Sequence, residues 1–472
     1  MYPIDLLSPS HLFSNVLSVL NSVQLLSRKE APGAQPTPAD FEVNLQTNTG
    51  FLPEKPIPRL PAAYSAWENA LTRAQEVLVL GENLTEQDTD SRADGELWRS
   101  QVRGLPVISI NDLKTDTQLL RRAHKVLAFL VHFYVHSTPP DQTAGSVLIP
   151  RSLATPLLEV SNILRMAPVL TFADTVLWNW DLVNPELPVT IENMRFGVEL
   201  FSGTEDERNF WFGNAKVEML GVEMLHLFNE YHSLPNVSDF ASVCKINRLL
   251  TRLVTIVDRV EETLTAMRDL VDPSTFYWQV RPWFNGSASG SSSPTWVFED
   301  GPDASTLDLS GPSAGQSSVM HALDIFLDVD FKLQQRRYPA PSEANKRSDL
   351  GFMERMRRYM PGAHRDYLSH LANTTRPLRE LAKSTPAVKE SYNAAVSAVR
   401  KFRDSHIRIA CLYVVSMSRS TAIPVGCPVF AMMQRMERQR NQTGHSTGTG
   451  GNELSLLLKS NRDATARAAI KI

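Results

Sequence analysis

The chain has 472 residues, of which 42% are apolar and 21% charged, and its 48 Lys and Arg nearly balance 51 Asp and Glu for a formal charge of −3. That length has room for roughly two or three domains, and the composition is that of a globular protein with a sizeable core. The charge balance leaves no electrostatic footprint for nucleic acid or an anionic membrane, and no apolar run reaches the ~18 residues that would span a bilayer.

From the N-terminus, Ile4–Leu26 is moderately apolar, but Asp5 and interrupting Ser, Asn and His deny it the basic start and continuous apolar centre of a secretory signal. The Pro-rich stretch Arg28–Asp40 reads as a linker, so residues 1–40 form an extension. A small helical domain is expected over 41–200 and a large one over 201–472. Apolar residues at three- and four-residue steps predict helices over Asp116–His136, Asn214–Tyr231, Phe240–Met267, Gly315–Leu333 and Pro386–Met417. Within the first, Val126–Val135 reads as a fully buried core helix. Ser238-Asp239 supplies a cap for the third, and Pro273 follows its end. Loops rich in Ser, Gly or Thr are expected at Asn285–Pro294 and Asn441–Asn452. Strand-like alternation is scarce, and the fold class is all-α. Cys244, Cys411 and Cys427 are too few for a disulfide framework and lack metal-ligand spacing, which fits a reducing compartment. Two of them sit in apolar helical patterns and are expected to be buried thiols.

Among eleven histidines, no pair has chelating spacing. His11, His232 and His445 lie in polar or loop-like contexts, while His364 and His370 flank a basic amphipathic pattern and are expected at the surface or in helix packing. His406 differs. It falls four residues after Phe402, on a stripe with Tyr392, Val396, Val399, Ile409 and Tyr413. A buried neutral imidazole needs a partner on each ring nitrogen, and a haem iron is one such partner. A core histidine bonded to a backbone carbonyl satisfies the same periodicity, so spacing alone does not make a haem protein.

The segment Arg403–Tyr413 resembles the proximal-ligand helix of the indoleamine 2,3-dioxygenase family, and Ser310–Ser318 resembles that family's loop on the distal side of haem. Ala167–Trp180, Arg357–Arg365 and Gly448–Gly451 are similar to further family segments, in the family's order, and the likeness covers roughly residues 41 to 470. Residues 201–207 are closest to fungal members. The resemblance implies a small helical domain over a large one that holds haem b. It also implies cleavage of the indole C2–C3 bond of L-tryptophan by O2 to give N-formylkynurenine, the first step of the kynurenine pathway. An electron donor, a cytoplasmic location and a monomer are expected with it.

Carried over residue by residue, the resemblance implies that His406 is the axial ligand and that Arg403, paired with Asp324, lies near a haem propionate. Arg281 becomes a clamp for the substrate carboxylate. Phe276 and Arg281 are five residues apart, which places them on no common stripe of an ideal α-helix, so a bend or helix end is expected there. Phe172, Thr175, Val176, Phe210 and Trp211 would line the indole pocket. Gly311, Ser313, Ala314 and Gly315 would form the loop over haem, where small residues permit close approach, and Thr449 would reach the substrate from a mobile lid. Against the animal pattern, Phe172 stands for tyrosine, Thr175 for cysteine, Pro312 for glycine and Asn214 for serine, which leaves the partner of the indole N–H open. No side-chain acid or base is assigned. A haem-based oxygen carrier or sensor on the same fold would also need His406; the carboxylate clamp separates the two readings. A cofactor-free helical scaffold would show no Soret band.

Overall fold

A computed structural model describes residues 36–143, 145–287, 294–331, 351–373, 376–419 and 454–471. The first 35 residues, Cys427, His445 and the Gly448–Gly451 segment with Thr449 lie outside the described residues.

The described chain is helical with two small sheets, as the spacing of apolar residues predicts. Four helices come first: α1 (Ser65–Val77), α2 (Thr89–Gly104), α3 (Thr117–His136) and α4 (Arg151–Leu164). α3 is capped by Asp116, whose carboxylate accepts the Gln118 and Leu119 N–H groups, and every residue from Leu120 to Val135 is buried. Buried on every side, with Arg122 and Lys125 paired to Glu68 and Glu199, α3 is the central rod of this first half. Strand β1 (Ser146–Ile149) pairs in parallel with β4 (Thr295–Phe298), register Ser146 to Thr295, and so ties the two halves of the chain together. β2 (Trp180–Leu182) and β3 (Met194–Phe196) form an antiparallel pair.

Two long helices follow, α5 (Glu205–His232) and α6 (Phe240–Leu270). α5 starts at Glu205 rather than Asn214, because its first turns are acidic and carry no apolar period. Thr204 caps it, accepting the Glu207 N–H, while the buried Glu207 carboxylate accepts the Phe201 and Ser202 N–H groups. α6 is capped by Asp239 and stops before Pro273, as expected. The predicted Gly315–Leu333 helix is instead a 3-10 turn at Ala314–Gln316, then α7 (Ser318–Phe326), ending before the left-handed Asp328 (φ 51°). Next come α8 (Phe352–Arg357), α9 (Gly362–Ala372), α10 (Leu378–Ser384), α11 (Pro386–Ala410) and α12 (Leu454–Ala468). α11 packs against both α6 and α12. Gly221 lets α5 approach α7 closely: a Cβ there would sit 2.2 Å from a Val319 methyl. The buried apolar residues form one continuous cluster from Val43 to Ala468.

Cys244 and Cys411 are half-buried, not buried as expected, because each lies at the edge of its helix stripe. His364 packs in the interior, its ring 4.7 Å from that of Phe51. No described helix is long and apolar enough to cross a membrane.

Candidate functional site

α11 presents His406 one turn after Phe402, and the two rings lie parallel, 6.4 Å apart. The imidazole is sunk among protein atoms yet keeps part of its surface accessible, and burial, helped by the Arg403 charge, pulls its pKa down to about 4. It is therefore neutral near pH 7, the form that ligates metal. Among the described residues no three His, Cys, Asp or Glu side chains converge as a metal cage. A single neutral imidazole suits a prosthetic group whose macrocycle fills the other positions, so the residues present fit haem. One turn before His406, Arg403 reaches both Asp324 carboxylate oxygens through Nη2 at 2.6 Å, and its Nη1 donates to Thr465 Oγ1 on α12. The expected Arg403–Asp324 pair is present. It joins α11 to α7.

Three π-helical turns occur in the described chain, at Ala173–Leu177, Phe276–Val280 and Cys411–Ser416. Each falls in or beside a segment singled out above, and isolated π-turns are rare and concentrate at functional sites. The second resolves the spacing problem of Phe276 and Arg281. The Arg281 N–H donates to the Phe276 carbonyl, an i to i+5 bond, so the wider turn brings the two residues nearer one face than an α-helix would. A 3-10 turn, Arg281–Phe284, follows. Arg281 is no solvated helix-end cation: it is deep among protein atoms, its guanidinium carbon is 5.4 Å from the Tyr277 ring centre, and burial lowers its pKa against the opposing pull of Tyr277 and Glu82.

Aromatic side chains connect this turn to the helix of His406. Phe276 lies 4.7 Å from Phe210 and 5.7 Å, edge-on, from Tyr413; Trp211 lies 4.8 Å from Phe284. Tyr413 follows His406 by two turns, and its hydroxyl donates to the Val271 carbonyl at 2.5 Å. Glu207 accepts from Trp211 Nε1 at 3.3 Å and so steadies the start of this wall. Asn214 turns its amide back to the Phe210 carbonyl at 2.8 Å.

The first half contributes the turn at Phe172. Asp174, wholly buried, accepts the Thr171 N–H and hydroxyl at 2.8 Å and pairs with His124 Nδ1 at 2.7 Å. Phe172 and Val176 are buried, and Thr175 is fully enclosed with its hydroxyl on the Thr171 carbonyl.

The Gly311–Gln316 turn is clamped from several sides. Gln316 Nε2 donates to the Gly311 carbonyl, and its Oε1 accepts the Phe172 N–H. Tyr359 accepts the Ser310 N–H and donates to the Asp308 carbonyl. His321 Nε2 donates to the Gly315 carbonyl while its Nδ1 accepts from Arg357, which fixes the tautomer. Within the turn, Ser313 Oγ accepts the Gly315 N–H, and Ala314 is exposed. Gly311 and Gly286 mark a backbone crossing: a Cβ on Gly311 would lie 1.6 Å from the Phe284 carbonyl oxygen, and one on Gly286 1.9 Å from that of Leu309. Gly311→Ala should therefore push the loop off the Arg281–Phe284 turn and cost about 1–3 kcal/mol in thermal unfolding. Gly104→Ala, in open space on α2, is the matching control and should be neutral or mildly stabilising. Equal melting temperatures for Gly311→Ala and the parent would contradict the crossing.

The π-turns, Gln316, His321 and the His124–Asp174 pair were not singled out in the sequence. Their one local signal is polar side chains set inside apolar runs, as in Val319–Leu323.

A family model described as indoleamine 2,3-dioxygenase matches residues 37–468. The chain is 29% identical over 429 residues to indoleamine 2,3-dioxygenase 1 of Mus musculus, covering 90% of this chain and 95% of that protein. It is 28% identical over 460 residues to the indoleamine 2,3-dioxygenase of Saccharomyces cerevisiae, covering 92% and 94%. With an indoleamine 2,3-dioxygenase of Aspergillus candidus it shares 28% over 436 residues, covering 88% and 94%.

Proposed function

The chain belongs to the indoleamine 2,3-dioxygenase family, and from that premise we propose that it is a haem-dependent dioxygenase converting L-tryptophan and O2 to N-formylkynurenine, the first step of the kynurenine pathway. The observation that carries the assignment of the site is the π-turn that links Phe276 to Arg281, with Phe276 against Tyr413 of the helix segment that continues from His406.

Haem, when bound, supplies the oxygen activation that opens the C2–C3 bond. His406 would hold it through a neutral imidazole, and Arg403, fixed by Asp324, sets that helix and would serve a haem propionate. Gly311 and Ser313 belong to the cofactor-side loop. Arg281 offers its planar fork to the substrate carboxylate. Phe210, Phe276 and Phe172, with Thr175 and Val176 behind them, exclude water and orient the indole, while Ser313, Ala314 and Thr449 complete the substrate side. No side chain is assigned as acid or base. Residues 1–40 are an extension, 41–200 a small domain supplying the Phe172 wall, and 201–472 the domain that holds haem. The protein is read as a monomer served by an external electron donor, and its three cysteines fit a reducing, cytoplasmic compartment.

Purified protein should show a Soret band and, once reduced without oxygen and then given O2 and L-tryptophan, release N-formylkynurenine. Reversible oxygen binding with no product would overturn the reading in favour of a carrier.

A further inference from the structure

Behind the Gly311–Gln316 turn lies a buried carboxyl that the proposed reaction does not use. Phe210, Asn214 and Glu218 follow one another at four-residue steps on α5, so Glu218 continues the stripe that bears two pocket positions. It is 1% exposed. Its Oε1 accepts the Ser317 hydroxyl at 2.5 Å, and its Oε2 has no hydrogen-bond partner among the described residues. Ser317 is the first residue after the turn and the cap of α7, where its Oγ also accepts the Met320 N–H.

We propose that Glu218 is a positioning residue that acts through Ser317 to fix the end of the Gly311–Gln316 turn, and that it does so as the neutral carboxylic acid. The site rests on the function proposed above; the hydrogen bond does not. An ionised carboxyl with one oxygen unpaired in a dry interior is costly, and a single hydroxyl does not offset it. Charged and titratable groups on the elements packed against α5 have other partners: Asp174 pairs with His124, Asp324 with Arg403, His321 with Arg357, Arg259 of α6 with Glu223 and Arg195 of β3 with Asp181, while Arg281 after the π-turn lies over Tyr277. Among the described residues none of these offers Glu218 a counter-charge, and burial, opposed only by Ser317, pushes its pKa up to about 7. Above that pH the carboxylate must draw water between α5 and the turn, which loosens Ser317.

The test uses the full-length haem-loaded protein and three variants, Glu218→Gln, Glu218→Ala and Ser317→Ala. The infrared difference between wild type and Glu218→Gln should contain a carboxylic-acid C=O band that fades as pH rises through neutrality. Glu218→Ala and Ser317→Ala should raise KM for L-tryptophan roughly tenfold, the loss of one buried hydrogen bond, with kcat and haem content kept. Glu218→Gln should restore the low KM and remove the rise in KM that wild type shows on the alkaline side. Amide exchange at Gly315–Ser317 should quicken in Glu218→Ala and not in Glu218→Gln. A missing acid band, or the same alkaline rise in KM in Glu218→Gln as in wild type, overturns the proposal. A wild type that shows the band and the exchange pattern but no turnover supports Glu218 and overturns the tryptophan reading instead.

Discussion

Replacing His406 with alanine is expected to yield a folded protein that does not retain haem, or one whose altered spectrum exogenous imidazole partly restores. The expectation follows from the position of the ring. It is half-accessible on a helix otherwise fixed by Arg403–Asp324, by Tyr392 bonded to the Leu327 and Ala468 carbonyls, and by Ser405 bonded to Glu261. These contacts do not involve His406, so truncating it should leave α11 in place. Among the described residues no cluster of three or more His, Cys, Asp or Glu could hold a metal in its place. Helical circular dichroism should match wild type while the Soret band is lost or displaced. A His406→Ala protein with normal haem content and an unchanged spectrum would remove the ligand assignment.

Arg281→Ala is expected to cost about 2–4 kcal/mol of transition-state stabilisation, roughly 30- to 1000-fold in kcat/KM for L-tryptophan. In the proposed reaction an amino-acid substrate would bring a carboxylate into a pocket lined by Phe210 and Phe276, where an unpaired charge is expensive. The guanidinium answers it with two coplanar charge-assisted hydrogen bonds, which lysine does not reproduce, so Arg281→Lys should recover little. Tryptamine, which lacks the carboxylate, should lose little with either variant, and haem content should stay near wild type. Equal turnover of L-tryptophan by Arg281→Ala and wild type would refute the clamp.

The helices were legible where apolar residues recur at helical spacing. α3 and α6 follow the spacing of their apolar residues, and the Asp239 cap was readable because its side chain does what that residue type does at a helix start. The beginning of α5 was not, since an acidic first turn has no apolar period. His406 stood out as a polar residue on an apolar stripe, but its role came from likeness to the family. The π-turn between Phe276 and Arg281 was hidden because an α-helical period assigns them to different faces, and nothing in Phe276–Val280 announces an i to i+5 turn. Distant contacts fixed the rest. Gln316 bonds to Phe172 and His321 to Gly315 only because tertiary packing brings them together. Glu218 left a fainter trace, a carboxylate set between Val217 and Met219 on an otherwise apolar stretch.

The most direct test of the central claim is turnover of L-tryptophan by the reduced, haem-loaded protein under heavy-isotope oxygen gas, with the product weighed by mass spectrometry before hydrolysis. The dioxygenase account predicts N-formylkynurenine carrying two labelled oxygen atoms. A product with one label or none, or reversible oxygen binding without product, would contradict it.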